Sequence, residues 1–121
     1  MSYDDDNVFA KILRGKIPAD KVYESEHSLA FRDIQPKRPV HVLVIPKGPY
    51  VTWHDMAENA SEAELADFVR AVAVVTKSEG IEEAGYRLVC NNGAHGHQEV
   101  PHVHVHVVGG APTGPMLSSK T

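Results

Sequence analysis

Eight histidines in 121 residues, five of them between His95 and His106, give this chain its greatest capacity for chemistry. The run His-Val-His-Val-His-Val-Val occupies positions 102–108. On a strand successive side chains alternate between faces, so His102, His104 and His106 share one side and Val103, Val105 and Val107 the other. The valines then belong to a core and the imidazoles form a polar file. A single histidine in such a place would simply solvate a sheet face. Three in register call for a chemical account, because threonine, lysine or glutamate would solvate the face equally well.

Two chemistries use such a file. Histidines at alternate strand positions can share a zinc, but His102 and His106 lie about 13 Å apart along a straight strand, whereas zinc holds its nitrogens at about 2.0–2.1 Å. Two of them together with His41 make the more workable ligand set. The other chemistry is nucleophilic catalysis. A neutral imidazole attacks phosphorus well when its second ring nitrogen donates to a fixed acceptor, and neighbouring imidazoles can then bind phosphoryl oxygens and move protons. His41, inside the run Pro-Val-His-Val-Leu-Val-Ile-Pro, brings a fourth imidazole if its strand lies beside the last one. Asn91, Gly93, Gly96 and Gln98 precede the triad on a loop whose N–H groups and amides can wrap a phosphate. Taken alone, Asn-Asn-Gly also reads as a plain turn.

The elements that must position these residues can be read in order. Asn7 or Asp6 caps a short helix whose residues Val8, Phe9, Ile12 and Leu13 make one apolar face before Gly15 ends it. Strands at 21–24 and 29–34, joined by Ser25-Glu26-His27-Ser28, form a hairpin. Two prolines in Gln35-Pro36-Lys37-Arg38-Pro39 make a loop there, and a β-branched strand follows over 40–45. Positions 49–60 have room for only a turn of helix. Ser61-Glu62-Ala63-Glu64 is a capping box, and Leu65, Phe68, Val69, Val72 and Val75 keep the helical period until Gly80. Strands at 85–90 and 102–108 complete an α+β domain: a five-stranded antiparallel sheet with one main helix and a short N-terminal helix. A single domain over 1–121 is expected, with its core at about 7–110 and a tail at 111–121 that is loosely ordered unless a partner holds it.

Composition narrows the function. A mass of 13.2 kDa suits one domain, and 42% apolar with 23% charged residues is the make-up of a folded chain. A formal charge of −4 provides no bulk positive field for a nucleic-acid backbone. Protonating all eight histidines, below their reference pKa of about 6.5, would reverse that charge to +4. The single cysteine, Cys90, excludes an intrachain disulfide and a thiolate-rich zinc site. No apolar run approaches the roughly 20 residues of a membrane span, and Met-Ser-Tyr-Asp-Asp-Asp is acidic where a secretory leader is basic and then apolar. The expectation is a cytoplasmic protein that engages neither nucleic acid nor membrane.

The run at 102–108 resembles the histidine-triad (HIT) pattern, His-apolar-His-apolar-His-apolar-apolar, which is highly specific. Val8-Phe9, Ile17-Pro18-Ala19, Ala30-Phe31-Arg32-Asp33-Ile34, His41-Val42-Leu43-Val44-Ile45-Pro46 and Gly109-Gly110 fall where the Hint branch of that family has similar segments. The resemblance covers about residues 7–110. It implies a homodimeric nucleotide-binding fold in which two sheets join into one, and a purine nucleoside phosphoramidase or related nucleotide hydrolase or transferase that needs no cofactor.

By position, the resemblance implies that His104 is the nucleophile toward the α-phosphorus, giving a nucleotidyl-histidine that water hydrolyses. His102 would orient it through its backbone carbonyl. His106 and His41 would contact the phosphate, with Asn91 and Gln98 lining the same pocket. Asp33 is placed like the family's ribose-binding acid, and Val8, Phe9, Ile12, Phe31, Ile34 and Leu43 like its purine slot. Two positions depart from the pattern. Glu99 stands where a serine is found near the leaving group, and His97 where glycine is usual. A carboxylate beside a phosphate repels it unless protonated, turned away or facing an amine, so Glu99 is expected to favour a cationic amine such as lysine. Asn7 and Ala10 stand where some relatives carry a zinc-binding Cys-x-x-Cys pair, and no such metal is expected. The alternatives are a nucleotide-sensing or scaffold protein with little turnover, and a metal-dependent hydrolase.

Overall fold

The β-branched run around His41 is the centre of the molecule. It forms the strand Val40–Pro46, in which six of seven residues are buried, as expected of a strand covered on both faces. Numbered along the chain, the strands are β1 (Lys21–Glu24), β2 (Ser28–Arg32), β3 (Val40–Pro46), β4 (Tyr86–Val89) and β5 (Val105–Gly109). They make one antiparallel sheet in the order β1-β2-β3-β5-β4. The structure, a computed structural model, describes residues 2–117.

Alternation along β3 feeds two separate cores. Val42 and Val44 face the long helix α3 (Glu62–Ser78) together with Phe68, Val75, Val103, Val105 and Val107. Leu43 and Ile45 face the other way, against Leu29, Phe31 and the residues Phe9 and Ile12 of α1 (Val8–Leu13). His41 has the parity of Leu43, and His106 is paired with Leu43 across the β3–β5 ladder. Both imidazoles therefore lie on the face opposite α3. Burying each of these large apolar side chains is worth roughly 1.5–3 kcal/mol, so the register that brings the histidines together is held by the valines behind them.

The caps follow the sequence. Asn7 accepts from Ala10 N–H at 2.9 Å at the start of α1, and both halves of the Ser61–Glu64 capping box form at the start of α3. Positions 49–60 depart from expectation, because they hold a seven-residue helix, α2 (Trp53–Asn59), instead of one turn. Thr52 caps it by accepting from Asp55 N–H at 3.1 Å, and Met56 anchors it with 2% of its surface exposed. The second strand ends at Arg32, two residues short of the expected limit, because the Asp33 side chain accepts from Gln35 N–H at 2.7 Å and turns the chain. The fourth strand is likewise shorter by one residue at each end.

The last strand starts three residues late, at Val105. Val103 N–H donates to Tyr50 O, and the His102 carbonyl is taken by the His104 ring, so neither group is free for a ladder. The tail is also more tied than expected. Arg38 donates to Pro112 O at 2.9 Å, and Arg87 to Gly114 O at 2.6 Å and Pro115 O at 3.1 Å. Residues 118–121 lie outside the described part. No helix among the described residues is long and apolar enough to cross a membrane.

Candidate active site

On the face opposite α3, a cavity of about 640 Å³ opens between α1, the strands β2, β3 and β5, and the loop that follows β4. One end is apolar, lined by Val8, Phe9, Ile12, Phe31 and Leu43; the other carries His41, His104, His106, Asp33, Asn91 and Glu99. Phe9 joins the two ends, packing edge-on against Phe31 at 5.5 Å and against His104 at 4.9 Å. Burial of apolar surface for a flat ring and convergent polar groups for an anion therefore coexist in one cavity.

The hydrogen bonds determine where each imidazole carries its proton. Lys37 N–H donates to His41 Nδ1 at 3.0 Å, so in the neutral ring the proton sits on Nε2. That Nε2–H donates to His106 Nδ1 at 2.9 Å, with Asp33 Oδ2 3.4 Å away. His106 in turn carries its proton on Nε2. His104 has the opposite tautomer: its Nδ1–H donates to the His102 carbonyl at 2.8 Å, which leaves a lone pair on Nε2. His102 donates from Nε2 to Pro46 O at 2.8 Å and accepts at Nδ1 from the Tyr3 hydroxyl at 2.6 Å.

Electrostatics keep these rings neutral. Burial lowers the pKa of all four below the usual histidine value, and brings His102 and His106 down to about 4. At His41 and His104 the negative charge of Asp33 acts the other way, and Glu99 does the same at His104. At neutral pH the site thus offers one unprotonated nitrogen whose lone pair is not already taken, on His104, and N–H donors on His41 and His106.

The comparisons with known proteins agree with this arrangement. The HIT domain pattern matches residues 14–113. The chain belongs to the HIT family. An uncharacterised HIT-like protein of Azospirillum brasilense is 53% identical over 97% of this chain and 96% of its own. A purine nucleoside phosphoramidase of Escherichia coli is 43% identical over 96% and 97%. Among solved structures, a HIT family hydrolase of Legionella pneumophila is 43% identical, with a TM-score of 0.81 over 88% of this chain and 95% of that one.

In this HIT protein most of the residues read from the sequence come together, with two differences, at Gln98 and Ile34. His102 lies outside the cavity, fully buried, and reaches His104 through its carbonyl, the contact that the resemblance implied. Gln98 does not line the cavity either. Its amide is consumed in holding the loop, accepting from Gly93 N–H at 2.9 Å and donating to Val51 O at 2.6 Å and Val100 O at 3.0 Å. Ile34 borders the cavity but is 95% exposed, because the strand has already ended. Tyr3 and the Lys37 N–H were not foreseen, since nothing in the spacing of residues 3 and 102 signals a contact.

The metal reading meets an obstacle in the same hydrogen bonds. Asp33, His41 and His106 place three ligand atoms within 4.8 Å of one another. A cation on His41 Nε2 would displace its proton, yet Nδ1 cannot take that proton while Lys37 N–H points at it. The His41–His106 side of the HIT site is therefore built for proton donation, and this ligand set does not fit a resident metal.

Proposed function

We propose that the chain hydrolyses purine nucleoside 5′-phosphoramidates, or related nucleotidyl conjugates, through a covalent nucleotidyl-histidine on His104. The observation that carries this reading is the tautomer of His104: a carbonyl holds Nδ1–H, so the lone pair is on Nε2 of a ring that lines the cavity. The 43% identity to a protein named purine nucleoside phosphoramidase supports the substrate class.

In the first step Nε2 attacks the α-phosphorus, the P–N bond breaks, and the amine leaves with a proton taken from solvent, which the attacking water gives back to solvent in the second step. The ring becomes a cation whose Nδ1–H still donates to the His102 carbonyl, an acceptor placed where positive charge develops. His106, polarised by the chain from Lys37 N–H through His41, presents its Nε2–H to a phosphoryl oxygen. Water then attacks phosphorus, displaces Nε2 and releases the nucleoside monophosphate. Asp33 stands where it can accept from ribose hydroxyls, and the apolar end takes the base.

His104→Ala should lower kcat on a nucleoside phosphoramidate by roughly three orders of magnitude or more, since the covalent route is lost. Rapid quenching of the wild type should trap a nucleotidyl adduct on His104, read by mass spectrometry. Equal turnover by the variant would end this reading, and binding without turnover by the wild type would leave a nucleotide sensor. The reading also carries a homodimer and a cytoplasmic location, the latter supported by composition and checked by fractionating cells that express the full chain.

A further inference from the structure

His102 is the histidine of the triad that does not reach the cavity, and it is also fully buried. Each of its polar groups has a partner. Its backbone N–H donates to Val100 O at 2.8 Å, its carbonyl accepts from His104 Nδ1–H at 2.8 Å, and Nε2–H donates to Pro46 O at 2.8 Å. The fourth partner, at Nδ1, is the Tyr3 hydroxyl at 2.6 Å, from the opposite end of the chain. We propose that Tyr3 is a positioning residue for the nucleophile: its hydroxyl holds the His102 imidazole in the tautomer and orientation that present the His102 carbonyl to His104 Nδ1–H.

The assignment follows from what each group can do. A carbonyl only accepts, so Pro46 O requires the proton on His102 Nε2. The neutral ring then needs a donor at Nδ1, and the Tyr3 hydroxyl supplies it; burial pushes that phenol above its ordinary pKa, so the proton stays. The ring of Tyr3 also meets His102 edge-on, with centroids 5.5 Å apart at 68°.

The segment that carries Tyr3 is built into the same turn as α1. Asp4 O accepts from Asn7 N–H at 3.2 Å and from Asn7 Nδ2 at 2.7 Å, and Arg14 donates to Asp5 O at 2.8 Å. Asn7 is at once the anchor of this segment and the cap of the helix whose Phe9 packs against His104. One capped turn thus presents an aromatic ring to each of the two histidines.

Without the hydroxyl, Nδ1 of His102 loses its donor partner. The ring is then free to exchange its proton to Nδ1 and turn, which releases Pro46 and unfastens residue 102 on that side. His104 Nδ1–H loses a fixed acceptor, and the fraction of His104 with its lone pair on Nε2 falls. Tyr3 does not line the cavity, so substrate binding is not directly touched.

The test compares the full-length wild type with Tyr3→Phe in two measurements. In nitrogen-15 NMR of histidine-labelled protein without ligand, the variant should move His102 Nδ1 toward the position of an unbonded ring nitrogen and convert His104 from a single tautomer to a mixture. With a nucleoside phosphoramidate, kcat should fall about 10-fold while KM stays within about 2-fold. Unchanged His102 and His104 signals would overturn the proposal, as would a retained kcat. So would a loss of thermal stability with KM raised and the His104 tautomer intact, which is the signature of structural support alone. The kinetic arm rests on the function proposed above; if the wild type turns over nothing, that function fails, while the tautomer arm still decides the role of Tyr3.

Discussion

In the function proposed above, a carboxylate at the mouth of the cavity changes which amine can leave it. Glu99 lines the cavity beside His97, with His97 Nε2 3.1 Å from Glu99 Oε1, and its negative charge is felt at both His104 and His106. His97 holds this position at φ 59°, a left-handed backbone that costs a residue with a Cβ roughly 1–2 kcal/mol. A leaving amine that carries a positive charge would meet an attractive partner here, and a neutral one would not. Glu99→Gln should therefore lower the ratio of turnover on lysyl to neutral-amine nucleoside phosphoramidates by about 3–10-fold, a modest effect because the carboxylate is mostly exposed and screened. An unchanged ratio removes Glu99 from leaving-group selection. At this scale the sequence was legible where spacing carried it: alternation singled out the triad. It misplaced Gln98 in the pocket, since an amide one residue from a glutamate can serve the ligand or the loop, and only the positions of Val51 and Gly93 decide.

The elements bear on assembly. Strand β4 is one edge of the sheet, with Tyr86 and Leu88 exposed on it, and Leu88 lines a shallow apolar groove with Trp53, Phe68, Val69, Val72 and Val105. An exposed edge beside an apolar face is what a chain leaves for another chain to cover. In the homodimer we propose, two β4 edges meet and the grooves close on each other. Leu88→Glu should shift the wild-type dimer to monomer in sedimentation equilibrium, with the sheet intact by circular dichroism; a wild type that sediments as a monomer sinks the proposal. Strong local signals made most elements readable, among them the Ser61 capping box and the run at 40–46. The helix at Trp53–Asn59 was missed because its Thr52 cap and its one buried anchor, Met56, make a weak periodic signal. The delayed start of the last strand came from a side chain, His104, that competes with the ladder for a carbonyl, and such competition cannot be read from propensity.

For the whole molecule, three buried imidazoles and the half-buried His106, all neutral at pH 7, couple the site to acid stability. In the unfolded chain each titrates near 6.5, whereas burial holds His102 and His106 at about 4 and keeps His41 and His104 lowered. Between about pH 4 and 6.5 the unfolded state binds more protons, so stability is fully present above that window and is lost as pH falls through it. His102 alone contributes up to roughly 3 kcal/mol of that loss. Urea midpoints should fall steadily from pH 7 to 4.5, with His102 still neutral by NMR at pH 5.5; equal midpoints would contradict the neutral, buried state of these rings.

The chain by itself determined the alternating file at 102–108, the caps, the period of α3 and the α+β class, because these depend on neighbours within a few residues, where side-chain parity and local hydrogen bonds act. The pairing of β3 with β5 that brings His41 to His106, the burial that neutralises the rings, and the reach of Tyr3 to His102 were decided only in three dimensions. They depend on groups 65 and 99 positions apart, and packing alone selects which of many distant partners a buried polar atom finds.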